Sequence, residues 1–259
     1  MTTVVAVTGA ARGMGRACVD LVRDVADVVV AIDLRAPEIE DAIGLACDIA
    51  DADDVAALAE KIREIGSFRA LVHAAGISPT MADARRMFEV DLVATARLLD
   101  AFEPLVGPGS AAVCFASTAA HQVAPFVDRT QVSLLGDPLA PDFLELAIDN
   151  VGGDPGFAYA LAKLGVVHAV RRAAVRWGPR GGRVNSVSPG LIDTPMGRQE
   201  FGQQAAMRPM LEQTPLGRFG RADEVAAVAA FLVSGAASFV SGIDVLVDGG
   251  LLSAATGAV

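Results

Sequence analysis

Short runs of valine, isoleucine and alanine alternate with alanine-rich stretches of helical periodicity along most of this chain. The runs are continuous in apolar residues, which is typical of strands that are buried on both faces of a parallel sheet. Seven runs are predicted as strands: TVVAVTG, ADVVVAID, AIGLACD, FRALVHAAG, SAAVCFAS, GRVNSVSPG and IDVLVDGG. The repeated strand–helix–strand units predict a single α/β domain over residues 1–259, with a doubly wound sheet covered by helices on both faces.

Two long stretches are predicted as helices, at residues 82–102 and 158–177. The second of these is apolar on nearly all sides. One side would pack on the sheet, and an apolar second side needs a cover, which we expect a partner subunit to supply. We therefore predict a homodimer or a homotetramer.

Residues 121–156 interrupt the alternation of strands and helices. The segment is rich in proline, aspartate and glycine, but it also carries large apolar side chains, mostly leucine and phenylalanine. A connection of this length is usually functional or disordered, and the apolar side chains argue against disorder. We therefore predict an ordered insertion with a functional role.

The composition is that of a globular protein, with 53% hydrophobic and 20% charged residues in a chain of 259. The formal net charge of −10 disfavours nucleic acid and anionic membranes as partners. The three cysteines are far apart in sequence, so we expect reduced thiols and no metal site. We see no signal peptide and no apolar run that spans a membrane, which predicts a soluble cytoplasmic protein.

The first predicted strand runs into the glycine-rich sequence TGAARGMG at residues 8–15. Glycines permit a tight turn and a close approach of the backbone to a ligand, and the following helix offers N–H groups to a pyrophosphate. The second strand ends at Asp33, where a carboxylate would accept hydrogen bonds from ribose hydroxyls and repel a 2′-phosphate. We predict NAD as the cofactor, although Arg12 and Arg35 are near enough in sequence to pair with the phosphate of NADP.

The only tyrosine of the chain, Tyr159, lies four residues before Lys163, one of its two lysines. Residues four apart share one face of a helix. An ammonium beside a phenol favours the phenolate, so we expect Lys163 to lower the pKa of Tyr159 from about 10 toward the working range. Such a phenol can exchange a proton with a substrate oxygen while a hydride moves at the adjacent carbon. Lys163 can also reach the ribose hydroxyls of a nicotinamide cofactor.

The TGxxxGxG loop and the YxxxK pair together resemble the short-chain dehydrogenase/reductase family, over a span from Thr8 to Gly250. The resemblance implies a Rossmann-type fold and a nicotinamide cofactor. The positions that match the cofactor-binding residues of the family are Gly9, Arg12, Gly13, Met14, Gly15, Asp33, Asp48, Ile49, Ala75, Gly76, Tyr159, Lys163, Pro189, Gly190, Ile192 and Thr194. In the sequence HAAG, His73 and Ala74 depart from the usual NNAG, and we interpret His73 as a packed strand-end residue.

The resemblance implies two further catalytic residues. The serine that the family places after the fifth strand corresponds to Ser117, with Thr118 as the alternative, and its hydroxyl would bind the substrate carbonyl. A simple role in capping the end of the strand is the other interpretation of this serine. Asp91 stands where the family has an asparagine. It could keep a water-mediated link to Lys163 and favour the charged lysine, or it could be a helix residue with no catalytic part.

The insertion separates Ser117 from Tyr159 by many more residues than is usual in the family. Because both of its ends are joined to catalytic residues, we expect the segment 121–156 to lie over or beside the reacting centre, as a substrate lid or as a subunit-interface segment. Its apolar side chains would suit a bulky alicyclic or aromatic ketone. An insertion at this place resembles the bacterial 3α-hydroxysteroid dehydrogenase/carbonyl reductase subgroup.

The sequence therefore predicts an NAD-dependent oxidoreductase that interconverts a secondary alcohol and a ketone on a bulky hydrophobic substrate, with steroids among the candidates. One alternative is a general carbonyl reductase of aromatic or xenobiotic ketones and aldehydes. A second alternative, from another class, is a non-catalytic NAD-binding redox sensor, although such a protein would have no reason to retain the serine, tyrosine and lysine together.

Overall fold

Seven parallel strands form the central sheet, as the apolar runs predict. The computed structural model of the chain describes residues 1–257. The strands are β1 Thr3–Thr8, β2 Val28–Asp33, β3 Ile43–Ala46, β4 Ser67–His73, β5 Ala111–Phe115, β6 Arg183–Pro189, β7 Ile192–Asp193, β8 Gly220–Arg221 and β9 Asp244–Val247. The central sheet has the order β3-β2-β1-β4-β5-β6-β9, and β7 pairs with β8 apart from it.

The strand order creates a crevice at the carboxyl ends of β1 and β4. The chain winds outward from β1 through β2 to β3, and then crosses back to place β4 on the other side of β1. In the parallel pair β1–β4, Thr8 lies opposite His73 at the ends of the two strands. A ligand of a doubly wound sheet binds at such a switch point, because the connecting loops diverge there.

Helices cover both faces of the sheet. They are α1 Gly13–Leu21, α2 Ala52–Ile65, α3 Ala84–Phe88, α4 Ala94–Phe102, α5 Thr118–Val123, α6 Arg129–Leu134, α7 Phe143–Val151, α8 Pro155–Trp177, α9 Pro195–Gln203, α10 Met207–Gln213, α11 Ala222–Val233 and α12 Leu251–Ala255. Helices α1 and α11 pack together on one face, in a core with the odd-numbered side chains of β1. Helices α2, α4 and α8 supply the core of the other face.

The predicted helix at residues 82–102 is present but is interrupted. Asp83 caps its first turn by accepting a hydrogen bond from the backbone N–H of Arg86, so the helix begins at Ala84. A π-helical turn, Glu89–Val93, separates α3 from α4. Such turns insert an extra residue into a helix and often occur at functional sites. Asp91 lies in this turn, with its side chain buried.

The insertion 121–156 is ordered and largely helical, since it contains part of α5 and all of α6 and α7. It packs on the helical layer, where α7 contacts α3 and α8. Phe143 is 1% exposed and meets the ring of Phe88 edge-on, with ring centroids 5.8 Å apart. Arg85 and Glu145 form an ion pair across the same junction. The segment is therefore an integral part of this face of the molecule.

The prediction that a partner subunit must cover the second side of α8 is wrong. Most apolar side chains of α8 are buried within their own chain, because α3, α4, α5 and α7 pack against this helix, although Val175 is exposed. The sequence pattern indicated correctly that a cover was needed, and the insertion supplies part of it. The burial of α8 therefore no longer supports a homo-oligomer, which stays a prediction. Within residues 1–257, no helix combines the length and the apolar character that a bilayer crossing requires.

The packing of the insertion can be tested with Phe143→Ala. Removing a buried aromatic ring leaves a cavity, so we expect the free energy of unfolding to fall by about 3 kcal/mol. Phe126 belongs to the same insertion but is 83% exposed, so Phe126→Ala is the matched control and should change stability little. Urea unfolding of both variants measures the difference. Equal losses in the two variants would show that the insertion does not pack as described.

Candidate active site

A cleft of about 400 Å³ opens at the carboxyl ends of β1, β2 and β4, next to α8. It brings together residues that the sequence predicts for a cofactor site but that lie far apart along the chain. The predicted residues that line it are Gly9, Arg12, Gly13, Met14, Gly15, Asp33, Asp48, Ile49, Ala75, Gly76, Tyr159, Lys163 and Thr194. Among residues 1–257, no cluster of histidine, cysteine, aspartate and glutamate could hold a metal ion.

Three of the predicted cofactor residues lie outside the lining of the cleft and hold the backbone behind it. Pro189 ends β6, and Ile192 is buried in β7. Gly190 packs so closely on Asp248 that a Cβ atom would lie 2.8 Å from the Asp248 Cα. These residues fix the path of the segment that leads to Thr194.

The glycine loop has the geometry of an anion site. Gly9 and Gly13 have φ values of +69° and +60°, in the region that favours glycine. A Cβ on Gly15 would lie 2.1 Å from the Gly9 carbonyl oxygen, so the helix can pack on the loop only without a side chain there. Helix α1 follows Arg12 with no side-chain cap. Its first N–H groups and the positive end of its dipole are thus available to a pyrophosphate.

Asp33 links the end of β2 to this loop. Its Oδ2 accepts a hydrogen bond of 3.0 Å from the backbone N–H of Ala11, and its Oδ1 accepts one of 2.8 Å from that of Leu34. Each carboxylate oxygen has further acceptor capacity. The carboxylate lines the cleft, so it can accept hydrogen bonds from a ribose there as well as hold the loop.

Arg86 is a lining residue that the sequence analysis missed. Its guanidinium lies 3.5 Å from the Asp48 carboxylate and 3.3 Å from that of Glu89. No motif marks it, because its position depends on how α3 packs beside the connection after β3. Arg12 also lines the cleft, whereas Arg35 does not.

The centre of the site is a buried ion pair between Lys163 and Asp91. Lys163 Nζ donates to Asp91 Oδ1 at 3.1 Å and to the carbonyl oxygen of Phe115 at 3.2 Å. Asp91 Oδ1 also accepts from the backbone N–H of Ile77, while Oδ2 has no hydrogen-bond partner among the described residues. Asp91 thus contacts Lys163 directly and not through water, which was one of the two interpretations that the sequence left open.

Burial and charge oppose each other in this pair. Burial raises the pKa of Asp91, and the charge of Lys163 works against that rise. Burial alone would lower the pKa of Lys163, but Asp91 and Tyr159 outweigh it and raise that pKa overall. Lys163 therefore remains an ammonium at neutral pH.

Tyr159 stands beside Lys163 as the spacing predicts, with Nζ 5.6 Å from the centre of its ring. The expected lowering of its pKa is wrong for this structure. Burial raises the pKa of the phenol, and the ammonium of Lys163 only partly opposes the rise. The phenol therefore carries its proton at neutral pH, which suits a general acid toward a ketone.

Ser117, and not Thr118, faces the phenol. Its hydroxyl lies near enough to Tyr159 to be among the influences that lower the pKa of the phenol. Its Oγ also accepts from the backbone N–H of Ala119 at 3.2 Å, so it caps α5. The capping role and the position beside the phenol coexist, because a hydroxyl both donates and accepts. Thr118 is buried in the first turn of α5.

His73 is a packed residue, as the sequence analysis interprets it. It is 2% exposed, and its ring nitrogens lie 2.8 Å from Thr8 Oγ1 and 2.9 Å from Thr95 Oγ1. Burial, with a smaller contribution from Lys163, lowers its pKa to about 3. The imidazole is therefore neutral near neutral pH and does not change its charge there.

The rim of the cleft is formed by the loop after β4 and by the start of α9. Met81 and Met196 line it from these two sides, and Gln199 Nε2 donates to Thr80 Oγ1 at 3.3 Å. The residues that line the cleft come from outside the insertion 121–156. Its role as a substrate lid or interface segment stays a prediction.

The family profile described as "Enoyl-(Acyl carrier protein) reductase" matches residues 9–133 and 146–252, which is most of the chain. The chain belongs to the short-chain dehydrogenase/reductase family. Members of this family are oxidoreductases that use a nicotinamide cofactor. The match includes the glycine loop, the YxxxK pair and part of the insertion.

Individual relatives align over nearly their full length with this short-chain dehydrogenase/reductase. A cis-4-hydroxycyclohexanecarboxylate dehydrogenase of Sinomonas cyclohexanicum is 34% identical, with 95% of each chain covered. A 3-alpha-hydroxysteroid dehydrogenase/carbonyl reductase of Comamonas testosteroni is 29% identical, with 96% of each chain covered. The crystal structure of a 3-alpha-hydroxysteroid dehydrogenase from Pseudomonas sp. B-0831, complexed with NADH, has 30% identity, a TM-score of 0.82 and 99% coverage of both chains.

The buried ion pair gives a stability prediction for Asp91→Asn. The amide can still accept from Ile77, but the Lys163 ammonium loses its carboxylate partner Asp91, so we expect unfolding to require about 3 kcal/mol less near neutral pH. In the variant, burial holds the pKa of Lys163 below the unfolded value of about 10.4. The variant therefore gains stability as the pH rises toward that value, while the parent begins to lose stability above it.

The measurement is urea unfolding at several pH values. Asp100→Asn is the control, because Asp100 and Arg176 form an exposed ion pair that should contribute at most about 1 kcal/mol. A loss for Asp91→Asn that matches the control, or that stays constant with pH, contradicts the buried pair.

Proposed function

We propose that this protein interconverts a secondary alcohol and a ketone with NAD(H), on a bulky hydrophobic substrate. One observation carries the proposal, namely the position of Tyr159 beside Lys163 and Ser117 at the side of a cleft that begins at a glycine loop. An acid, a cation and a hydroxyl donor in one place have the roles that carbonyl reduction needs. A non-catalytic redox sensor would need the cleft that binds the cofactor, but it would not need these three side chains beside it.

The residues present fit a nicotinamide dinucleotide. The glycine loop and the start of α1 would hold the pyrophosphate, Asp33 the adenosine ribose, Lys163 the second ribose, and Thr194 the carboxamide. When bound, the nicotinamide supplies the hydride or takes it up. The carboxylate of Asp33 supports NAD over NADP, because a 2′-phosphate beside it would be repelled.

In the direction of reduction, Ser117 would donate a hydrogen bond to the carbonyl oxygen of the substrate. Tyr159 would give its proton to that oxygen as negative charge develops there. The Lys163 ammonium would then stabilise the phenolate that remains, and Asp91 holds the ammonium in place. In the direction of oxidation, the same phenolate would take the proton back.

The substrate side of the cleft supports an apolar substrate. Ile77, Met81 and Met196 line it, and methionines adapt to irregular apolar shapes. The relatives named above act, by their names, on an alicyclic hydroxy acid and on 3-alpha-hydroxysteroids. The name of the Comamonas relative also includes carbonyl reductase, which supports a general carbonyl reductase as the second candidate function.

Tyr159→Phe tests the catalytic role of the phenol. The substitution removes the proton donor and leaves the ring, so kcat/KM on a secondary alcohol with NAD should fall by about 1,000-fold. The absorbance of reduced nicotinamide measures the rate, and fluorescence titration with NADH measures cofactor binding, which should be unchanged. Lys163→Ala should weaken both, whereas Lys61→Ala, at the exposed second lysine, should affect neither. Full activity of Tyr159→Phe would exclude the mechanism.

Asp33→Asn tests the choice of cofactor. The amide keeps an oxygen for the backbone N–H of Ala11 but removes the negative charge, so the preference for NAD over NADP, as a ratio of kcat/KM values, should fall by at least about tenfold. Asp20→Asn, on the outer face of α1, is the control and should leave the ratio unchanged. A parent enzyme that uses both cofactors equally well would contradict the assignment of NAD.

A further inference from the structure

Glu200 is a partly buried acidic residue of α9 that the mechanism above does not use. It lies on α9, four residues after Met196, which lines the cleft. Residues four apart share one face of a helix, so Glu200 faces the same side as Met196. The neighbouring Gln199 holds α9 to Thr80 on the opposite rim. The carboxyl group is thus on the same side of α9 as Met196, and one side-chain hydrogen bond joins this helix to the loop after β4.

The charge of Glu200 reaches the reacting groups. It raises the pKa of Tyr159, and the charges of Lys163 and Asp91 in turn act on Glu200. Glu200 is partly buried, and no ion pair or hydrogen bond to its carboxyl group occurs within residues 1–257. The adjacent Arg198 is engaged by Asp193 instead. Glu200 is therefore an acid without an ion-pair partner, whose charge can act on a charged group of a bound substrate.

We propose that Glu200 is a specificity-determining residue that excludes substrates with an anionic group, so that the enzyme accepts neutral alicyclic alcohols and ketones. This inference rests on the proposed function, because it concerns the substrate of that same site. Two negative charges held a few ångströms apart in a partly buried site repel each other by enough to change binding more than tenfold. The Sinomonas relative, by its name, acts on a cyclohexane that carries a carboxylate. If the proposal is correct, this protein and the Sinomonas relative differ in the charge of the substrate that they accept.

The experiment compares two ring alcohols that differ mainly in charge. The neutral probe is 4-methylcyclohexanol, and the anionic probe is 4-hydroxycyclohexanecarboxylate, each oxidised with NAD at about pH 8.5, where an acid with a pKa near 7 is ionised. We expect kcat/KM of the parent enzyme to be at least about tenfold lower for the anion, mainly through KM. Glu200→Gln should bring the two values to within about threefold, and Glu200→Lys should reverse the preference. Glu212→Gln, at an exposed position of α10, should change nothing.

The pH dependence gives a second readout. Burial raises the pKa of Glu200 to about 7, so its charge, and with it the discrimination against the anion, should fade as the pH drops from about 8.5 to about 6. Glu200→Gln should show no such change. The titratable groups that act on Glu200 are Tyr159 and Lys163 on α8 and Asp91 on the π-helical turn. Glu200→Gln keeps all three groups, so its pH profile measures their own contribution to the ratio.

The charged groups on the elements that pack against α9 interact with residues other than Glu200 or are exposed to solvent. Asp193 of β7 pairs with Arg198. Arg208 of α10 stacks over the ring of Phe201, and Glu212 is exposed.

The outcomes distinguish the inference from the function on which it rests. If the parent oxidises neither probe nor any other secondary alcohol, the proposed function fails. If it oxidises both probes equally well and Glu200→Gln leaves the ratio unchanged, the proposed function stands and the role of Glu200 is overturned. A lower rate for the anion that Glu200→Gln and Glu200→Lys do not relieve also overturns the role of Glu200.

Discussion

The buried ion pair of Lys163 and Asp91 is the interaction on which the rest of the site depends. It joins α8, the π-helical turn before α4, and the end of β5 through the Phe115 carbonyl. A buried ammonium is tolerated only with such compensation, so these elements must keep their relative positions. Gly76 is part of the same constraint. A Cβ there would lie 2.6 Å from Asp91 Oδ1 and 3.1 Å from Lys163 Nζ.

The fold was predictable wherever the hydrophobic pattern has one interpretation. A run such as TVVAVTG is too short for a helix and too apolar for an exposed strand, and all seven strands of the sheet were predicted. The insertion was harder, because its helices are short and lie among prolines and glycines. A local signal was available in the capping box of Asp128 and Gln131 at the start of α6. That the insertion covers α8 depends on tertiary packing, which no local pattern encodes.

The residues of the candidate site also differ in how far the sequence predicts their contacts. Contacts that depend on sequence spacing, such as the glycine loop and the pair of Tyr159 with Lys163, were predicted and found. Contacts between distant segments were predicted only where the resemblance to the family supplied them, as for Asp91 and Lys163, and Arg86 and Glu200 were missed because no motif marks them. The direction of the Tyr159 pKa shift was also wrong. The prediction from the sequence included the effect of the neighbouring ammonium on this pKa but not the effect of burying the phenol. Burial has the larger effect on the pKa.

One short helix, α9, connects the contact proposed for the cofactor with the contacts proposed for the substrate. Thr194 accepts a hydrogen bond of 3.0 Å from the backbone N–H of Gly197 and so fixes the start of α9. The same hydroxyl can still donate to a carboxamide, since a hydroxyl both accepts and donates. A cofactor held at Thr194 would therefore contact the same helix that carries Met196 and Glu200. The proposed contacts to the cofactor and to the substrate would then lie on one element, so a shift of the start of α9 would disturb both.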